Sequence, residues 1–76
     1  MPAIRKRSIR LHGRHTSISL EDAFWLQFKA LAKARGTTTN ELASEISDAS
    51  REPNSPYRGS GLSSAIRLFV LEGGKL

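Results

Sequence analysis

Two kinds of side chain in this sequence are equipped for chemistry, and both lie near its start. The first is a cluster of cations. Arg5, Lys6, Arg7, Arg10 and Arg14 fall between Met1 and His15 with no acid among them. The net charge is +5, from 12 basic and 7 acidic residues, and outside this cluster the chain balances seven against seven. The whole excess therefore sits in one segment. Concentrated positive charge attracts polyanions through counterion release and long-range steering; a solvated tail has the same composition. The second kind is a run of hydrogen-bonding side chains, His12, His15, Ser17 and Ser19, whose hydroxyls and imidazoles both donate and accept.

Catalysis and metal binding find little support. His12 and His15 form a His-x-x-His pair, but in extended chain they point to opposite faces, with no cysteine or acidic partner beside them. There is no cysteine nucleophile, no Gly-rich phosphate loop and no pair of carboxylates placed for acid–base work. Glu45 and Asp48 stand one helical turn apart, the pattern of a solvated helix face. The expectation is a protein that is not an enzyme and carries neither metal nor cofactor.

The elements that must position these residues follow from periodicity. Residues 1–13 read as a basic N-terminal arm, mobile from Met1 to Lys6, and residues 14–76 as one domain. Ser8-Ile9-Arg10-Leu11-His12 alternates polar and apolar, and Thr16 to Leu20 alternates again. The apolar positions change from odd to even between the two stretches, and Gly13 stands at the change, which calls for a bulge or a turn there. A strand is predicted over about His15 to Leu20. Its alternation sends Thr16, Ile18 and Leu20 toward the core and His15, Ser17 and Ser19 away from it.

Helices follow. Ser19-Leu20-Glu21-Asp22 has the form of a capping box, and Phe24, Phe28 and Leu31, flanked by Trp25 and Ala32, make an apolar stripe. Gly36 supplies a C-cap, so the first helix spans about Leu20 to Arg35. Thr38-Thr39-Asn40-Glu41 opens a second helix with Leu42, Ala43 and Ile46 on its apolar face, running to about Arg51. A turn-rich loop occupies about 52–61, and Leu62 to Glu72 reads as a third helix. Phe24, Trp25 and Phe28 invite comparison with base-stacking aromatics, but their helical spacing assigns them to a core.

With 76 residues, a monomer buries only about 60% of its unfolded surface. With no cysteine to staple it, pairing with a second copy is the expected remedy. No apolar run approaches the roughly 18 residues of a membrane span, and the start lacks the apolar stretch of a secretory signal. The expected location is the cytoplasm.

The order strand, helix, tight turn, helix resembles the Arc/MetJ-type ribbon-helix-helix family. The likeness rests on Arg14-His-Thr-Ser-Ile-Ser-Leu-Glu-Asp-Ala-Phe-Trp25, on Arg35-Gly-Thr-Thr-Thr-Asn-Glu-Leu42, and on Ala65-Ile66-Arg67, which looks like the usual end of the family's second helix. The whole chain is similar to a bacterial subgroup of that fold. The resemblance implies a mostly α architecture with one short strand. Two chains would then intertwine as a homodimer, each giving one strand to a two-stranded antiparallel ribbon. Ile18, Leu20, Phe24, Trp25, Phe28, Leu31, Leu42 and Ile46 would form the dimer core.

It further implies a transcriptional regulator, a repressor or autoregulator, whose ribbon enters the major groove of double-stranded DNA. His15, Ser17 and Ser19 would then meet base edges. Arg5, Lys6, Arg7, Arg10 and Arg14 would meet phosphates, joined by the helix N-terminus at Thr38, Thr39 and Asn40, which is equally an ordinary cap. The alternative within the fold is an antitoxin or other interaction module, with a protein partner at the C-terminal helix. The chain departs from the family pattern twice: the stretch before the strand is longer and more structured, and a loop of about ten residues interrupts the second helix.

Overall fold

The computed structural model describes residues 4–59 and 61–75. Two eight-residue strands, β1 (Ile4–Leu11) and β2 (Arg14–Glu21), pair antiparallel, and three helices follow: α1 (Asp22–Ala34), α2 (Thr39–Ala49) and α3 (Leu62–Leu71). The basic segment expected as an arm is β1, and the expected single strand is one half of a hairpin within the same chain. Of the expected arm, Met1, Pro2 and Ala3 lie outside the described residues.

The turn explains the change of parity at Gly13. His12 and Gly13 are the two loop residues and both have positive φ, 50° and 80°, as a type I′ hairpin turn requires. A two-residue loop sets odd positions of β1 opposite even positions of β2, as in Arg7↔Ile18 and Ile9↔Thr16. Ile9 and Leu11 thus join Thr16, Ile18 and Leu20 on one face. His12 is held in its left-handed conformation by α2: its N–H donates to Ser44 Oγ (3.2 Å), and its Nε2 lies 2.9 Å from Asp48 Oδ1.

The helices begin and end largely where the sequence places them. Thr38 caps α2 by accepting the Glu41 N–H at 3.1 Å. Gly36, at φ 72°, turns the chain out of α1, with Thr37 N–H bonded to Ala32 O and Gly36 N–H to Lys33 O. The capping box expected at Ser19 does not form. The strand runs on to Glu21, which takes the N-cap position of α1 without capping the helix through its side chain.

The core lies between the helices and one face of the hairpin. Ile9, Ile18 and Leu20 enter from the strands, and Phe28, Ala32, Leu42, Ala43, Ile46, Ala65, Ile66 and Phe69 from the helices. Phe28 and Phe69 meet edge to face with centroids 6.2 Å apart. Tyr57 pins the loop before α3, buried in the core with its hydroxyl donating to Lys75 O. Of the eight residues expected to form a dimer core, Ile18, Leu20, Phe28, Leu42 and Ile46 are fully enclosed by their own chain. Phe24, Trp25 and Leu31 are half-buried against the same core. The strand that pairs with β2 is β1 of the same chain.

Candidate nucleic-acid interface

All three helices pack on one face of the hairpin, so the other faces solvent. By register that outer face carries the pairs Lys6↔Ser19, Ser8↔Ser17 and Arg10↔His15, all six side chains exposed. The Arg10 N–H donates outward to Asn40 Oδ1 at 3.0 Å rather than to β2. The alternation of an antiparallel ladder then makes these three the non-hydrogen-bonded pairs, whose side chains stand closest together. From Lys6 to Arg10 is about 13 Å at roughly 3.3 Å per residue. The six side chains form a short polar ribbon with two permanent cations and no carboxylate.

Glu21 ends the same row opposite Ile4. Its carboxylate accepts from Arg67 Nε at 2.8 Å, and that bond, helped by its own backbone N–H, holds its pKa below the ordinary carboxylate value. Arg67 in turn lies 6.0 Å from the Phe24 ring centroid. The negative end of the ribbon is thereby neutralised from α3.

Of the residues expected to touch base edges, His15, Ser17 and Ser19 all stand on this outer face, and Ser19 is released from capping α1. The expected phosphate contacts divide. Lys6 and Arg10 join the outer row. Arg7 does not: it faces the helices, its side chain only 15% exposed, paired with Asp22 and stacked 5.5 Å from the Trp25 centroid. Alternation of the strand put it inside, and Asp22 at the start of α1 supplied its counter-charge. Arg5 shares that inner face, 3.6 Å from the same carboxylate, with its end in solvent. Arg14 is exposed at the turn end, in a groove with Leu11, Thr16, Ser47 and Arg51.

The N-terminus of α2 flanks the hairpin, in an open groove lined by Arg10, Thr38, Asn40, Glu41, Ser44 and Glu45. The Thr38 hydroxyl and the Asn40 side-chain oxygen are already occupied, by Glu41 N–H and Arg10 N–H. The Thr38 oxygen caps its own helix and the Asn40 oxygen holds β1 against α2, while the Thr38 hydroxyl hydrogen and the Asn40 amide N–H groups are donors of the kind a phosphate accepts; Thr39 is half-buried beside them. Sequence reasoning missed Ser8, and missed that Lys6 and Arg10 share a face with His15, Ser17 and Ser19. The signal was present in the parity change across a two-residue turn.

A polar, cationic two-stranded ribbon mounted on a helical layer defines a class of small proteins that present a β-ribbon outward. The chain belongs to the ribbon-helix-helix domain family, whose model matches residues 4–73. That family consists in general of DNA-binding regulators and antitoxins without enzymatic activity. Among solved structures the chain is similar to an uncharacterized protein from Bordetella pertussis Tohama I, at 30% identity and a TM-score of 0.74. The match covers 93% of this chain and 55% of that one, so this chain spans about half the length of its structural relative. No curated protein matches the chain. No helix among the described residues is long and apolar enough to cross a membrane.

Proposed function

We propose that the chain is a sequence-specific DNA-binding transcriptional regulator, a repressor or autoregulator, that lays the outer face of its hairpin in the major groove. The observation that carries this reading is the row Lys6, Ser8, Arg10, His15, Ser17 and Ser19, all exposed, cationic in sum and free of carboxylates. The major groove, about 12 Å wide, admits a two-stranded ribbon. A reach of about 13 Å corresponds to roughly four base pairs at ~3.4 Å each. The serine hydroxyls suit donors or acceptors on any base, His15 adds a further donor, and Lys6 and Arg10 are cations for the phosphates that flank the groove. Arg14, at the turn, is placed to meet a phosphate beside the groove.

The antitoxin alternative, with its partner at the C-terminal helix, is less well supported. Helix α3 spends Ala65, Ile66 and Phe69 on its own core, leaving Leu71, 72% exposed, as its exposed large apolar side chain. One such residue is less than the apolar stripe a docked helix presents. Selection of bound duplexes from a random pool, at two salt concentrations, tests the proposal. A common motif should be enriched at both, and failure to enrich any duplex at either would overturn it.

A further inference from the structure

The eight arginines of the chain divide by what holds them. Arg5 and Arg7 share Asp22, Arg35 lies 3.8 Å from Glu45, and Arg67 bonds Glu21. Arg58 donates to the Arg51 carbonyl at 3.3 Å. Among the described residues, the side chains of Arg10, Arg14 and Arg51 alone have neither an ion pair nor a hydrogen bond. Arg10 belongs to the outer row of the ribbon. Arg14 and Arg51 come from different elements and line one groove.

That groove lies at the turn end of the hairpin. Helix α2 runs beside β1 toward the turn: Asn40 takes the Arg10 N–H, Ser44 takes the His12 N–H, and Asp48 reaches the His12 ring. Arg51, two residues beyond the helix, therefore arrives beside the start of β2. Arg14, His15, Thr16, Ser47 and Arg51 line a space of about 380 Å³, and no carboxylate does. Asp48 Oδ1 lies 2.9 Å from His12 Nε2, and Glu52 lines a separate pocket with Pro56 and Tyr57. Two guanidinium groups and two hydroxyls without a competing acid are a donor set for a phosphate. The carbonyl end of a helix repels anions, but here the Arg51 carbonyl accepts from Arg58.

We infer that Arg14 and Arg51 grip a single DNA phosphate between them, at the edge of the major groove that the ribbon enters. The inference rests on the DNA-binding reading above and deepens it, adding a contact from the C-terminal end of α2. His15 is both a wall of this groove and a member of the base-facing row. The grip therefore sets the register of the ribbon on the DNA backbone. Because two cations serve one phosphate, that phosphate stays neutralised when either is lost.

Arg14→Gln, Arg51→Gln and the double variant of the full chain are titrated against the best selected duplex at three salt concentrations. Both side chains are exposed, and circular dichroism verifies folding. Each single variant should lose up to about 5-fold in affinity, while its salt slope stays close to that of the native chain. The double variant should flatten the slope by about 0.9 for each chain in the complex. A scan of uncharged methylphosphonate substitutions along the duplex should find one position per bound chain that weakens the native protein and leaves the double variant unaffected. Single variants that each flatten the slope by the full amount would mean two separate phosphates and overturn the shared grip. An Arg51→Gln protein indistinguishable from the native one would remove Arg51 from the interface. Loss of affinity with no sensitive backbone position would put a free anion in the groove and equally overturn the inference. In all three cases the native chain still binds DNA; its failure to bind any duplex would instead sink the DNA-binding reading itself.

Discussion

Four basic residues stand within six positions of β1, yet the structure gives them two different fates, and salt dependence separates them. Lys6 and Arg10 face outward, while Arg5 and Arg7 face the helices and share Asp22. Counting the exposed Arg14, three cations are free to neutralise phosphate. At roughly 0.9 per contact, log affinity should fall against log salt with a slope of about −2.7, so raising salt from 50 to 200 mM costs roughly 40-fold in affinity. If all five cations of the segment made contacts, the slope would be about −4.5. Replacing both Lys6 and Arg10 by glutamine should leave a slope of about −0.9 and reduce the same salt penalty to roughly 3.5-fold. Arg7→Gln should leave the slope where it was. It should instead lower stability by about 1–2 kcal/mol, because it removes a charged hydrogen bond and a stacking contact with Trp25. Fluorescence anisotropy on a labelled duplex at three salt concentrations reads the slopes, and urea denaturation followed by Trp25 emission reads stability. An Arg7→Gln slope flattened as far as that of Lys6→Gln would refute the assignment of faces.

Three further outcomes follow from the same geometry. Ile9→Ala should cost about 2–5 kcal/mol, since Ile9 is 2% exposed in the core; an unchanged urea midpoint would mean β1 is not part of the folded unit. Ser17→Ala should weaken the preferred duplex by about 1–3 kcal/mol and leave random DNA almost unaffected, and equal losses on both would remove Ser17 from base reading. The Glu21 carboxylate has its pKa lowered by Arg67, so its contribution is present above the ordinary carboxylate pKa and lost as pH falls through the lowered value. The stability gap between the native chain and Glu21→Gln should therefore close as pH falls below about 4, and a gap that persists undiminished to pH 2 would point to another cause.

Much of this fold was legible in the residues. The helix limits of about 20–35, 38–51 and 62–72 differ from the observed ones by a few residues at the ends, where caps and strand continuation compete. Thr38 caps as its spacing predicts. Ser19 does not, because the pairing of Leu20 with Arg5 and of Glu21 with Ile4 carries β2 two residues further. The missed element was β1. The alternation at Ile9 and Leu11 and a bulge or turn at Gly13 were legible, but period two alone does not say that the two extended stretches pair with each other. The outward face of β2 followed from period two alone. The inward fate of Arg7 did not, because its partner Asp22 lies fifteen residues away and the pairing exists only once the hairpin has formed.

The two stretches that depart from a plain strand–helix–helix pattern are the ones that complete the core. The longer start becomes β1, which pairs with β2 and adds Ile9. The loop and the helix after it add Tyr57, Ala65, Ile66 and Phe69, and Phe69 packs on Phe28 of α1. A lone strand has no sheet to join, and two helices over it leave one side of Phe28 uncovered; each need is met from within the chain. The outer face of the ribbon is shaped by the same addition: half of its exposed row, Lys6, Ser8 and Arg10, comes from β1.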